Sequence, residues 1–141
     1  MKILANDGVS QSGIDVLTKA GYEVITTNVA QEHLVDYINE NKITVLLVRS
    51  ATSARKELID SCPGLKIIGR GGVGMDNIDV EYAREKGLSV INTPAASSSS
   101  VAELVFAHLY GGVRFLHDSN RNMPLEGERN FKGLKLSLIH I

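Results

Sequence analysis

From Lys2 to Asn92 the chain alternates short apolar runs with segments of helical period. Lys2–Ala5 reads as a strand. Ser10 or Ser12 caps a helix that runs through Lys19, and Gly21 stops it. Tyr22–Thr26, with its β-branched residues, reads as a second strand. Gln31–Asn41 sets Leu34, Val35 and Ile38 on one helical face. Thr44–Val48 is a continuous apolar run, the mark of a strand buried on both faces. Ser53–Ser61 predicts a short helix closed by Cys62-Pro63-Gly64, and Leu65–Ile68 a fourth strand. Asp79–Lys86 predicts a helix stopped by Gly87, and Leu88–Ile91 a fifth strand. Strand alternating with helix across short loops is the sequence form of a parallel sheet with helices on both faces. The expected fold is therefore α/β, with flavodoxin-like strand order.

The pattern changes after Pro94. Ala95–Ser100 is a run of small residues that reads as a linker. Ser100-Val101-Ala102-Glu103 matches a capping box, and the helix behind it extends to about Phe115, with Gly111-Gly112 as a weak point. From Asp118 to Lys135 the chain is polar and without period. The expected organisation is a domain over residues 1–94, a linker and long helix over 95–117, an irregular arm over 118–135 and a tail over 136–141.

At 141 residues the chain has room for one ordinary domain. Fifteen basic against sixteen acidic residues give a net charge of -1, which argues against a nucleic-acid partner. No apolar run has the length of a membrane span. Cys62 is the single cysteine, so no internal disulfide is possible and a reducing cytoplasm is the expected setting.

Gly69-Arg70-Gly71-Gly72-Val73-Gly74 follows a strand and spells G-x-G-x-x-G. Two features speak against a dinucleotide fingerprint. Met75-Asp76-Asn77-Ile78 reads as a turn, so no helix N-terminus faces a pyrophosphate. The next strand ends in Asn92-Thr93-Pro94, without the acid that binds a ribose. What remains is either a carboxylate or phosphate cradle with Arg70 beside it, or a tight turn whose glycines serve backbone geometry alone.

Ligands of open α/β sheets bind outside the carboxyl ends of the strands. There the chain places Asn6-Asp7-Gly8, Arg49-Ser50, Arg70 with the glycines, and Asn92-Thr93. Two arginines on one rim point to a small anion, although a lone Arg49 is ordinarily a solvated surface cation. A phosphoacceptor domain needs an Asp where Arg49 stands, and a flavin site needs aromatic walls that are lacking. His33, His108, His117 and His140 have no metal-ligand spacing. Cys62 has no neighbouring His and reads as a buried or idle thiol.

Val48-Arg49-Ser50, then Ile68–Asp79, then Asn92-Thr93-Pro94, then Ser100-Val101-Ala102-Glu103-Leu104 together resemble the D-isomer-specific 2-hydroxyacid dehydrogenases. The likeness runs from about Met1 to Lys135, and within the family it leans to members acting on 3-phosphoglycerate. It implies an NAD-dependent oxidoreductase of homo-oligomeric habit, built from a flavodoxin-like substrate domain and an inserted Rossmann domain. This chain matches the substrate domain and the helix crossing between the two. By resemblance, Arg49 and Ser50 contact the phosphate or hydroxyl end of the substrate. Arg70 and the backbone of Gly71, Gly72 and Val73 hold its carboxylate, Val73 borders the nicotinamide, and Asn92 lies near the hinge and substrate. Ser97 stands where many members have Asn. The family's true dinucleotide motif, catalytic arginine and Glu–His pair have no counterpart here. No catalytic residue is therefore expected in this chain, which alone should be inactive.

Phe131–Lys135 still fits the family, whereas Leu136–Ile141 does not. The string Leu-Ser-Leu-Ile-His-Ile is also the translation of CTG-TCT-CTT-ATA-CAC-ATC, a common transposon-end sequencing adapter. The expectation is a reading frame cut short, with a non-native tail.

Overall fold

The computed structural model describes residues 1–126. Met1–Ala96 forms one compact unit, and a second begins at Ser97. In the first unit five parallel strands, β1 (Lys2–Ala5), β2 (Glu23–Ile25), β3 (Val45–Val48), β4 (Ile67–Arg70) and β5 (Ser89–Asn92), lie in the order β2-β1-β3-β4-β5. Between them run α1 (Gln11–Lys19), α2 (Leu34–Glu40, entered through a 3-10 turn at Gln31–His33), α3 (Lys56–Ser61) and α4 (Val80–Glu85). This is the flavodoxin-like α/β order that the strand pattern predicts.

Register explains the core. Leu4 pairs with Leu46 and Leu46 with Ile68, so three fully buried side chains form one row across the central strands. Leu34 and Ile38 of α2, Leu58 and Ile59 of α3 and Ala83 of α4 close over that row. Right-handed crossovers put these three helices on one face, because their strands advance in one direction. The β1–β2 connection runs the opposite way, which carries α1 to the other face. Ser10 caps α1 by accepting the Gly13 N–H, and α1 packs against β2.

Several element boundaries differ from the sequence reading. The fourth strand begins at Ile67 rather than Leu65 and takes in Gly69 and Arg70, because Gly69 pairs with Leu47 on one side and Ile91 on the other. Gly69 is thus a strand residue and not part of a loop. The third helix starts at Lys56, since Ala54 is drawn into an isolated parallel bridge with Ile78.

In the second unit α5 spans Ser98–Val113 and α6 spans Leu116–Glu126. The capping box expected at Ser100 and Glu103 does not form. The helix begins three residues earlier, Ser97 is its N-cap without a side-chain bond, and the Val101 N–H donates to the Ser97 carbonyl. Small Ala and Ser residues do not oppose helix, so the small-residue linker is partly absorbed into α5. Gly111 and Gly112 stay helical, and the break falls at Phe115, whose φ of 51° is left-handed. The irregular arm expected from residue 118 is helical as far as Glu126. Its first turn carries Asp118, which suits the positive end of the helix dipole, but its residues lack the apolar stripe that would betray a helix. The tail over residues 136–141 lies outside the described residues.

Candidate anion-binding cleft

A cleft of about 670 Å³ opens at the carboxyl ends of β1, β3, β4 and β5, where the strand order reverses. Its apolar floor is Leu47, Gly69 and Ile91, one row of the sheet. Its rim carries Asp7, Arg49, Arg70, Gly71, Asn92 and Thr93. The structure therefore brings together Arg49, Arg70, Gly71 and Asn92 of the sequence-predicted site residues. Ser50, exposed beside Arg49, and Gly72 and Val73, further along the glycine loop, do not line the cleft.

Neither guanidinium makes an ion pair or a hydrogen bond among the described residues. Arg49 is exposed, and its stem runs past Gly71, where an added Cβ would stand 3.6 Å from Arg49 Cγ. Arg70 is half-buried, and its Nε is buried with no partner. A buried charged donor without an acceptor is costly, and an anion in the cleft would remove that cost.

The glycines seat Arg70. A Cβ on Gly72 would lie 2.5 Å from Arg70 Nη1, and one on Gly74 would lie 3.8 Å from it and 2.8 Å from Asp76 Oδ1. The loop amides are not all available, which corrects the expectation for this loop. Gly71 N–H donates to the Val48 carbonyl at 2.9 Å and Gly72 N–H to the Arg70 carbonyl at 3.0 Å. The amides of Val73 and Gly74 have no such partner among the described residues, so Val73 remains a possible donor and Gly74 joins it. Asn92 donates to the Val73 carbonyl at 2.7 Å, and the Thr93 amide donates to the Gly72 carbonyl, so the β5 end buttresses the loop from beneath.

Gly72→Ala tests this seating. Gly72 has no positive φ, and the group its Cβ meets is the mobile end of Arg70. The expected outcome is a stability change within about 0.5 kcal/mol and a carboxylate affinity lowered about tenfold. Thermal melts and a ligand titration of the same sample check both.

Four polar residues hold the Arg49 turn: Asn6 and Asp7, which the sequence places on the rim, and Thr52 and Asn77, which it does not single out. Asp7 accepts the amides of Arg49 at 2.6 Å and Thr52 at 3.1 Å, and also the Thr52 hydroxyl. Burial pushes the Asp7 carboxyl up, but the Thr52 hydroxyl and the Arg49, Thr52 and Ala51 amides outweigh it and hold it below its ordinary range. Buried Asn6 donates to Thr52 Oγ1 at 2.8 Å and to the Val29 carbonyl. From the other side Asn77 donates to the carbonyls of Arg49 and Thr52 at 2.8 and 2.6 Å. The signal in the sequence was the pair Asn6-Asp7 at the end of β1.

The described residues do not make a dinucleotide site. Gly69 sits in a strand, two loop amides are spent, and α4 starts only at Val80. The cleft holds no histidine, and its one carboxylate, Asp7, is bonded through both oxygens. Cys62 is buried, and burial pushes its thiol up to about 11, so it is inert. No helix among the described residues is long and apolar enough to cross a membrane.

This fold, with two unpaired arginines over a glycine loop at the sheet's switch point, is what the motifs pointed to. The chain belongs to the D-isomer specific 2-hydroxyacid dehydrogenase family, whose catalytic-domain model matches residues 3–123. More particularly, it is 39% identical over 139 residues to D-3-phosphoglycerate dehydrogenase of Methanocaldococcus jannaschii, covering 96% of this chain and 26% of that protein. It is 37% identical over 135 residues to hydroxypyruvate reductase of Thermotoga maritima, covering 95% of this chain and 43% of that protein. Among solved structures, the NAD+-bound 3-phosphoglycerate dehydrogenase of Entamoeba histolytica superposes with a TM-score of 0.64 at 31% identity. That match covers 81% of this chain and 39% of the other. The chain thus spans about a quarter of the length of the first relative and less than half of the other two.

Proposed function

We propose that this chain supplies the substrate-binding part of an NAD-dependent D-3-phosphoglycerate dehydrogenase, in the first step of serine biosynthesis from a glycolytic intermediate. The observation that carries the reading is the pair of unpartnered guanidinium groups, Arg70 half-buried and Arg49 exposed, on one cleft. Arg70, with the Val73 and Gly74 amides, takes the carboxylate common to all 2-hydroxyacids. A guanidinium matches a carboxylate bidentately. Arg49 takes the distal phosphate, joined by Ser50, which is exposed next to it though outside the cleft lining. Val73, 52% exposed at the tip of the loop, borders the nicotinamide. Asn92 contributes indirectly, by holding the Val73 carbonyl.

The chemistry that bound NAD would supply is that of a hydride acceptor for C2. The residues of this chain bind and orient the substrate, and none in the cleft is placed to take the hydroxyl proton. The exposed apolar residues of α5, including Leu104, Phe106 and Leu109, support a homo-oligomeric enzyme. A single buried free thiol suits a cytoplasmic setting.

The hydroxypyruvate reductase relative favours a second reading, in which the substrate is an unphosphorylated 2-hydroxyacid. The two separate in an enzyme made by joining this chain to a relative's dinucleotide domain. On our reading kcat/KM for 3-phosphoglycerate exceeds that for D-glycerate by at least about tenfold, one charge-assisted contact. Equal or better turnover of D-glycerate would establish the second reading instead.

A further inference from the structure

We infer that Asn77 is a positioning residue that fixes the span between Arg49 and Arg70, and so selects substrates by the separation of their two anionic groups. The inference rests on reading Arg49 as the distal-anion contact.

The two arginines leave the sheet from adjacent strands. Arg70 ends β4 and is paired in register with Val48, and Arg49 follows Val48 directly. Beyond the strands the two segments part, the first into the turn Arg49–Thr52 and the second into the glycine loop. An exposed arginine on a free turn would leave its guanidinium with no set distance from Arg70. The turn is not free. Asp7 holds its amides, and this anchors it to the end of β1. Asn77 holds its carbonyls and belongs to the segment leaving the glycine loop, so its bonds tie one arginine's support to the other's.

That segment is itself fastened in place. Ala54 N–H donates to the Asn77 carbonyl, Asp79 N–H donates to the Ala54 carbonyl, and Ala54 pairs with Ile78 as an isolated bridge. Arg55 adds a hydrogen bond to the Asp76 carbonyl at 2.7 Å and an ion pair with Asp79 at 3.0 Å. The Asn77 side chain is 8% exposed, and its Oδ1 is buried with no protein partner. Both donors of its amide group therefore serve the Arg49 turn, while the acceptor goes unused. An aspartate there would set a carboxylate against two carbonyls, and an alanine would leave both carbonyls unpaired.

The test uses the 141-residue chain, titrated by NMR with 3-phosphoglycerate and with D-glycerate, which keeps the carboxylate and lacks the phosphate. Asn77→Ala is expected to weaken 3-phosphoglycerate about tenfold and to leave D-glycerate unchanged. Asn77→Ser keeps one donor in the same space and recovers part of the lost selectivity. If the alanine variant does not fold, the serine variant alone decides, by a selective loss of a few-fold. Equal weakening of both ligands, or no change in either, overturns the inference. Arg49→Ala in the same chain separates the two claims. If it is selective and the Asn77 variants are not, the positioning role falls alone. If Arg49→Ala is not selective, or the unaltered chain binds neither ligand, the underlying substrate reading falls.

Discussion

Arg70→Ala, in an enzyme restored by joining this chain to a relative's dinucleotide domain, is expected to lose activity on every 2-hydroxyacid offered. The carboxylate is common to all of them, and Arg70 is the half-buried cation to which the proposed function assigns it. Two charge-assisted bonds are lost, and a bidentate pair of this kind is worth about 3 kcal/mol, or on the order of a hundredfold in kcat/KM. Arg70→Lys should not restore it, because an ammonium cannot match a carboxylate with a planar fork. Gly72 adds a steric reason, since the guanidinium lies over it, with Nη1 only 2.5 Å from where its Cβ would be. Stability should be little changed, as the Arg70 side chain makes no hydrogen bond within the described residues and its Nε is an unpaired buried donor. Steady-state kinetics on phosphorylated and unphosphorylated substrates check the uniform loss. A loss confined to phosphorylated substrates would exchange the roles of the two arginines.

The second large effect falls on stability. Asp7→Ala removes the acceptor of two amides and a hydroxyl at the end of β1. Allowing for partial exposure, the expected cost is about 2–3 kcal/mol. In a compact unit of this size that lowers Tm by roughly 10–20 °C. The effect depends on pH. The folded Asp7 carboxyl lies below its ordinary value of 3.8, so the unfolded chain takes up the proton first as pH falls. Its contribution is complete above the unfolded value, declines as pH drops through the folded one, and is absent below both. Asp7→Asn should therefore melt well below the unaltered chain at neutral pH, and the gap should narrow below about pH 4. A gap that does not change between pH 7 and pH 3 would show that the carboxylate's charge is not what holds the turn.

Much of this architecture was legible in the sequence because it rests on local signals. The apolar run ending at Val48, the helix stops at Gly21 and Gly87, and the arginines set directly after buried strands are all patterns of adjacent residues. They led to the strand order and to the cleft. Pairing between strands is not a local signal. The fourth strand slid two residues because Gly69 is held by Leu47 and Ile91, and no window around Leu65 contains those neighbours. The state of the loop amides was equally hidden. Which of Gly71, Gly72, Val73 and Gly74 turns its N–H inward depends on backbone torsions that glycine leaves open. Asp7 was legible on the rim, but its tie to Thr52 and the parts of Thr52 and Asn77 were not, because these bonds join residues 25 to 45 apart in the chain. The helix from Leu116 was missed for a different reason, since it lacks the apolar period by which a helix is recognised.

On the proposed function the cleft reads two anions, the carboxylate at Arg70 and a phosphate at Arg49. Arg49→Ala in the restored enzyme tests it most directly, with 3-phosphoglycerate and D-glycerate as paired substrates. Arg49 is exposed, its side chain makes no bond within the described residues, and it lies on a turn that Asp7 and Asn77 hold through its backbone, so the side chain can be removed without disturbing the fold. The expected result is a KM for 3-phosphoglycerate raised about tenfold, the worth of one exposed charge-assisted contact, with D-glycerate unaffected. Equal losses on the two substrates, or no loss on either, would contradict it.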